Sequence, residues 1–138
     1  MVDKSYIYSF LSDKKISLHW KEKVYNSIAS IELVFNVQIK KSDITRKFLR
    51  TNQILIACPE EMNIEYAKEI SGKLSFETLA PVTVIEYKNQ YILYMGSVRA
   101  LLFTQYIGVV DCLIVKCDSE RVKKYYNETS DKLSSWSI

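Results

Sequence analysis

The sequence predicts an α/β domain with a mixed sheet, preceded by a basic helical extension over residues 1–50. Two patterns predict this class. Apolar residues follow a helical spacing up to about residue 50, whereas short apolar runs alternate with helical segments from residue 54 onward. A chain of 138 residues can bury roughly two-thirds of its unfolded surface, which is enough for one core. We therefore expect one compact unit in which residues 51–138 form the α/β domain.

The first predicted element is an amphipathic helix. Its apolar residues recur at spacings of four, four, three and four, as on one face of an α-helix: Trp20, Val24, Ile28, Ile31 and Phe35. A second, short helix is predicted from a cap at Ser42 or Asp43 through Arg50, with Ile44 and Phe48 as its apolar stripe. Two helices joined in this way would also permit a helix-turn-helix.

From residue 54 the predicted elements alternate. An apolar run over 54–58 stops at Pro59, and a helix begins near Asn63 and ends near Gly72. Residues 82–87 and 90–95 surround a two-residue Lys-Asn turn, which predicts a β-hairpin. A helix after Gly96, a strand over 109–116 and a last helix from Ser119 complete the pattern.

Positive charge is concentrated in the first 50 residues. They contain ten Lys and Arg against five Asp and Glu, whereas the rest of the chain has nine against eleven. The densest cluster has five cations in eleven residues: Lys40, Lys41, Arg46, Lys47 and Arg50. Such a cluster suits the phosphate backbone of DNA, which is the predicted partner. The alternative, to which we give equal weight, is that these cations form the solvated face of a helix and bind no nucleic acid.

Several classes of protein are not expected. No stretch approaches the roughly 20 apolar residues that cross a bilayer, and the start of the chain lacks the pattern of a signal peptide, so we expect a cytoplasmic protein without membrane contact. Cys58, Cys112 and Cys117 lack a CxxC pair and neighbouring histidines, which argues against structural zinc. We expect three free thiols.

The turn between the second hairpin strand and the next helix is the predicted binding site. Free N–H groups at a helix start attract anions. Gly96 permits a tight turn, Ser97 offers a hydroxyl and an N-cap, and Arg99 supplies a bidentate fork for a phosphate. These three residues are therefore the candidate phosphate- or nucleotide-binding residues.

Residues 63–116 resemble the ParB N-terminal domain and its sulfiredoxin relatives. The resemblance rests on an ordered set of features: a helix ending near Gly72, a strand led by Pro81, a hairpin, the Gly96-x-x-Arg99 signature, and a further helix closed by Gly108 before a strand. It implies a ParB/sulfiredoxin-like domain with a mixed sheet. It also implies a nucleotide, with a divalent metal, as the cofactor to test.

Two departures from the family pattern bear on activity. Ser97 and Val98 replace the Glu and first Arg of the ParB signature, and Ser97 stands where sulfiredoxins carry their reactive cysteine, so sulfiredoxin thiol chemistry is not expected. Some members of the superfamily are similar to nucleases and others to small-molecule kinases. On this resemblance, Glu65 and Glu69 join Arg99 as candidate catalytic residues, while the metal ligands are unassigned.

The function that follows is a DNA-associated protein that binds DNA phosphate or a nucleotide at the Gly-x-x-Arg turn, with nuclease activity as an added expectation. Two alternatives stay open, a non-catalytic protein-interaction module and a small-molecule phosphotransferase. A homodimer is compatible with each of them.

Overall fold

A six-stranded mixed sheet carries helices on both of its faces. The computed structural model describes residues 1–126 and 131–138. The helices are α1 (Lys4–Ser9), α2 (Leu18–Phe35), α3 (Ile64–Ile70), α4 (Ser97–Ile107) and α5 (Arg121–Tyr125). The strands are β1 (Ile44–Arg50), β2 (Ile54–Ile56), β3 (Val82–Tyr87), β4 (Gln90–Met95), β5 (Val109–Lys116) and β6 (Asp131–Lys132). The predicted α/β class with a mixed sheet is confirmed.

The strand order is β1-β5-β3-β4-β2-β6. β3 pairs parallel with β5, and β4 pairs parallel with β2, while the other neighbours are antiparallel. β3 and β4 form the predicted hairpin, and its turn residues Lys88 and Asn89 both have positive φ, as a type I′ turn requires. The C-terminal ends of β4 and β2 therefore lie at the same end of the sheet, where Gly96 follows β4.

The two faces of the sheet carry separate apolar clusters. On one face, α2 buries Val24, Ile28, Ile31 and Phe35 as its stripe predicted. On the other face, α4 buries the run 100–103 against the opposite side of the same strands. Because successive side chains of a strand point to opposite faces, β3 and β5 contribute alternately to both clusters.

The predicted helix ending at Arg50 is wrong, and with it the helix-turn-helix. Residues 44–50 form β1, which pairs antiparallel with β5 from Ile44 opposite Val115 to Arg50 opposite Val109. Two apolar residues four apart fit a helix, but the pairing with β5 decides the structure, and Phe48 is 52% exposed rather than part of a buried helical stripe. The basic residues at 46, 47 and 50 therefore lie on a strand.

A buried ion cluster ties the segment between α1 and α2 to the sheet. The carboxylate of Asp111, only 1% exposed, accepts hydrogen bonds from Arg46 Nε at 3.0 Å and Nη2 at 2.7 Å. Lys14 Nζ lies 3.3 Å from the same carboxylate. Arg46 Nη1 also donates to the carbonyl of Phe10 and to Asp13. Each charge of this cluster thus has a partner of opposite sign.

The remaining expectations concern membranes and cysteines. Among the described helices, none is long and apolar enough to cross a membrane. All three cysteines are free thiols, as predicted, with Cys112 and Cys117 buried and Cys58 partly exposed.

Candidate anion-binding site

The turn at Gly96 joins β4 to α4. Gly96 has φ +105°, a left-handed conformation that glycine adopts without a steric penalty, and it occupies the N-cap position of α4. A glycine cap has no side chain, so no side-chain hydrogen bond closes the first turn of the helix. The predicted N-cap role of Ser97 is wrong, because the glycine starts the turn one residue earlier. The Ser97 hydroxyl instead donates to the carbonyl of Glu61 at 2.9 Å.

The Arg99 side chain folds back beneath this turn. It is 8% exposed, and its Nη1 donates to the carbonyl oxygens of Ala80 at 3.1 Å and Pro81 at 2.5 Å. A Cβ placed on Gly96 would lie 2.8 Å from Arg99 Nη2 and 2.9 Å from Val82 Cγ1. The guanidinium therefore occupies the space that any side chain at position 96 would need.

Arg99 is a buried cation that lacks an acidic partner among residues 1–126 and 131–138. No described carboxylate lies within ion-pair distance of it. Burial lowers the pKa of Arg99 to about 10, so the group is still positive at pH 7. The indole ring of Trp20 lies 4.8 Å from the guanidinium carbon, and Lys23 Nζ lies 4.8 Å from the same ring. The aromatic ring thus supplies the electrostatic contact that a carboxylate would otherwise make.

A cavity of about 810 Å³ opens beside the turn. Three cations line it, namely Lys23, Lys73 and Arg99, together with polar side chains of α2. The rest of the lining is mainly apolar and includes three side chains that stay exposed: Tyr66, Leu74 and Met95. Among the described residues of the lining there is no Asp or Glu. The cavity therefore combines positive charge with apolar surface.

The helix α2 forms one wall of this cavity. Trp20, Lys23, Ser27 and Ser30 lie on its cavity side, three or four residues apart, as one helix face requires. The Ser27 hydroxyl is hydrogen bonded to that of Thr83 at 2.6 Å, and the Ser30 hydroxyl to that of Tyr94 at 2.7 Å. These bonds fix α2 to β3 and β4. Sequence reasoning missed this wall, although the tryptophan at the start of the stripe was a signal.

The structure does not bring the candidate catalytic acids to the cavity. Glu65 and Glu69 are exposed on α3, and neither lines the cavity. Glu65 lies 3.8 Å from Lys68 instead. The cavity side of α3 carries Tyr66 and Ile70, each the residue after one of the acids, and the acids themselves are exposed outside the lining.

The five predicted DNA-binding residues have different environments. Arg46 is held in the buried ion cluster described above, so its guanidinium is already paired. Lys47 Nζ lies 3.0 Å from the Tyr91 hydroxyl but is otherwise exposed. The other three are exposed at or beside β1, namely Lys40, Lys41 and Arg50. Four of the five therefore present charge to solvent.

The residues of the cavity fit a phosphate better than a divalent metal. Within the described part of the chain, no group of three or more His, Cys, Asp or Glu side chains could hold a metal ion. The cavity provides cations and helix N–H groups, which bind anionic oxygens, and no carboxylate that would bind Mg²⁺.

Comparison with known proteins identifies the fold. No protein-family model matches the chain, and no curated protein matches it. Among solved structures, sulfiredoxin from Arabidopsis thaliana is similar, with a TM-score of 0.50 and 18% sequence identity. The match covers 59% of this chain and 96% of the sulfiredoxin. The chain thus has a sulfiredoxin-like fold, as the order of its elements predicted.

Proposed function

We propose that this protein binds a nucleotide, or another ligand that carries a phosphate, in the cavity beside Gly96. The observation that carries the proposal is the buried guanidinium of Arg99, which lacks a carboxylate partner among the described residues. A buried charge is costly unless an opposite charge or hydrogen bonds compensate it. Two carbonyl groups and the ring of Trp20 compensate part of the Arg99 charge, and an anionic ligand would supply the opposite charge that is still absent among the described residues.

Phosphate oxygens match the donors that this site offers. Arg99 Nη1 is engaged by two carbonyls, whereas the remaining guanidinium nitrogens have no hydrogen-bond partner in the described structure. The first turn of α4 adds N–H groups without a side-chain cap, and the positive end of the helix dipole favours an anion there. Lys23 and Lys73 add positive charge at the same cavity. These features together support binding of a phosphate group.

The size and lining of the cavity support a ligand larger than inorganic phosphate. A volume of about 810 Å³ lies within the range of about 300–1,000 Å³ that is typical of sites for small organic molecules. Trp20 and Tyr66 offer aromatic surface, and Leu74 and Met95 offer apolar surface near the rim. A nucleobase or a similar flat group fits such a surface.

The geometry favours binding over catalysis. Phosphoryl transfer or phosphodiester cleavage needs a group that moves a proton or holds a metal. The described lining includes no carboxylate, and Glu65 and Glu69 lie outside it. The proposal is therefore a binding function, in which the phosphate is contributed either by a free nucleotide or by DNA.

Thermal melting with separate ligands tests this proposal. Samples contain ATP, CTP, inorganic phosphate, single-stranded DNA or duplex DNA, each with and without MgCl₂. A ligand at about a hundred times its Kd stabilises the fold by about 2.7 kcal/mol, which raises Tm. A shift with a mononucleotide identifies the free nucleotide, whereas a shift with DNA alone identifies a DNA phosphate. No shift in any sample would contradict the proposal and favour the protein-interaction module.

Matched variants locate the site. Arg99→Gln removes the buried cation, while Arg121→Gln removes an exposed one on α5. We expect the first to abolish the ligand-induced shift and the second to leave it unchanged. Because Arg99→Gln alters a buried residue, the double variant Lys23→Gln/Lys73→Gln provides an independent test at exposed positions of the same cavity. An unchanged shift in that variant would place the ligand elsewhere.

A further inference from the structure

The outer edge of β1 is partly open for backbone pairing. Within the described sheet β1 has β5 as its one neighbour. The N–H of Ile44 donates to the carbonyl of Lys41, and the N–H of Arg50 donates to Gln53 Oε1 at 2.8 Å. Both N–H groups therefore point away from β5. Since alternate residues of an antiparallel strand turn their N–H and C=O to the same side, Arg46 and Phe48 also direct theirs outward.

The middle of this edge has no partner in the described structure. Its two ends are closed by short turns of the chain itself, at Lys41–Asp43 and Thr51–Gln53. Between them, no described group outside the sheet forms a hydrogen bond with the backbone of Arg46 or Phe48. Two N–H and two C=O groups are thus available to a short extended segment.

The side chains next to the unpaired backbone groups of β1 differ between the two faces of this strand. Phe48 is 52% exposed and stacks on Phe76, with 6.4 Å between ring centroids. Lys47 is exposed on the opposite face. A lysine on an edge strand usually discourages pairing with other strands, but an exposed phenylalanine on the same edge favours it.

The charge around the edge of β1 indicates what kind of segment would bind there. The exposed cations are Lys40, Lys41, Lys47 and Arg50. Asp43 is the acid within this stretch, and its carboxylate accepts a hydrogen bond from the N–H of Lys40 at 2.9 Å. The edge therefore carries a clear excess of positive charge.

We propose that the edge of β1 binds an acidic, extended segment of a partner protein by strand addition. The backbone of Arg46 and Phe48 supplies the hydrogen bonds, as in other cases where a peptide extends a sheet. Side chains of the added strand lie about 5 Å from their neighbours on β1. The segment therefore has Asp or Glu on the side of Lys47 and an apolar residue on the side of Phe48.

Other occupants fit the edge less well. A second copy pairing through β1 would bring the same cations together, and like charges on paired strands are destabilising. DNA would use the cations but would leave the exposed ring of Phe48 and the outward carbonyls without partners. Arg46, the cation at the centre of the edge, is already paired with Asp111.

A designed peptide tests strand addition on the full chain. The probe is a fluorescein-labelled octapeptide of alternating Glu and Val, and its binding is followed by anisotropy at low salt. One control peptide has Lys in place of Glu, and another has N-methyl groups on alternate residues, which prevents backbone pairing. We expect the Glu-Val peptide to bind at least tenfold more tightly than either control, and its affinity to fall as salt is added.

Two substitutions of Phe48 separate the contribution of its backbone N–H to binding from the contribution of its side chain. Phe48→Val and Phe48→Pro both remove the ring, but only proline removes the outward N–H, and the bonds of Lys47 and Leu49 to β5 remain. We expect Phe48→Pro to weaken binding at least fivefold relative to Phe48→Val. Lys47→Glu should reverse the preference between the Glu and Lys peptides, whereas Lys124→Glu, an exposed change on α5, should not.

Three different results would each contradict strand addition by an acidic segment. Equal binding of the N-methylated peptide would show that the strand edge is not used, and this result stands even if Phe48→Pro fails to fold. Duplex DNA that binds through Lys47 while no peptide binds would replace the partner protein with a nucleic acid. A dimer that Phe48→Pro dissociates would make a second copy the occupant. Each of these results overturns the proposal.

Discussion

Lys14 and Arg99 donate hydrogen bonds to neighbouring carbonyl groups of one short segment. Lys14 Nζ lies 2.6 Å from the carbonyl oxygen of Leu79, and Arg99 Nη1 lies 3.1 Å from that of Ala80. Lys14 belongs to the ion cluster around Asp111, whereas Arg99 belongs to the cavity. The segment 79–81 is therefore held by side chains of both charged sites. We expect a substitution of Lys14 to shift this segment and, with it, the position of the Arg99 side chain.

Lys14→Met should reduce both stability and ligand binding. The variant leaves the carbonyl of Leu79 without its donor and removes one cation from the buried cluster, which costs about 1–3 kcal/mol. The position of Arg99 should change as a result, so the affinity for the ligand proposed to bind in the cavity should fall severalfold. Urea denaturation and isothermal titration measure the two effects. Lys15→Met, at a neighbouring exposed lysine, should change stability by less than about 0.5 kcal/mol, and equal effects of both variants would contradict the coupling.

Gly96→Ala should be more damaging than the same change at another glycine with positive φ. At Gly72, φ is +86° and nothing lies within 4 Å of an added Cβ, so only backbone strain of about 1–2 kcal/mol applies. At Gly96 the added Cβ also meets Arg99 and Val82, which adds about 1–3 kcal/mol. Urea denaturation of the two variants gives the difference. We also expect Gly96→Ala, and not Gly72→Ala, to abolish ligand binding, and equal losses of stability would contradict the close contact with Arg99.

The fluorescence of Trp20 should report ligand binding. Its ring contacts the Arg99 guanidinium and lines the cavity, whereas Trp136 packs with the apolar cluster that includes α4. In a Trp136→Phe variant, addition of the ligand that raises Tm should change the emission of the remaining tryptophan. A Trp20→Phe variant, which keeps Trp136, should show no such change. A response that persists without Trp20 would place the ligand away from this wall.

The three thiols should react at different rates. Burial raises the pKa of Cys112 and Cys117, and burial together with the nearby Glu61 carboxylate raises the pKa of Cys58. A raised pKa lowers the thiolate fraction, so at pH 8 the partly exposed Cys58 should alkylate more slowly than a free thiol, and faster as the pH increases. The two buried thiols should react only after denaturation. Mass spectrometry after iodoacetamide treatment checks this order, and a Cys58→Ser variant should stay unlabelled in the native state.

The sequence predicted those elements whose signals are local. The stripe from Trp20 to Phe35 identified α2, and the Lys88-Asn89 turn identified the β3–β4 hairpin. The strand β1 could not be recognised in this way, because Ile44 and Phe48 fit a helix spacing and the paired residues of β5 lie 59 to 71 positions further along the chain. Long-range pairing overrides local propensity in such a segment.

The candidate site was predicted only in part. Gly96 and Arg99 were found because the turn from strand to helix has a recognisable pattern, and the structure places the guanidinium beneath the glycine. The contribution of α2 depends on how that helix packs across the sheet, which no local pattern encodes. Glu65 and Glu69 were selected as acids one turn apart, but the orientation of α3 is set by the burial of Ala67 and turns both acids outward.

The helix α2 lines the cavity and also packs on the sheet, and this double role limits how far the chain can be shortened from its N-terminal side. Hydrogen bonds from Ser27 and Ser30 hold the helix on β3 and β4, and its apolar stripe belongs to the cluster that packs on one face of the sheet. A fragment beginning after residue 43 would expose that face to water and lose the tryptophan beside Arg99. Such a fragment should aggregate during purification, so biochemical work on this protein needs its first forty residues.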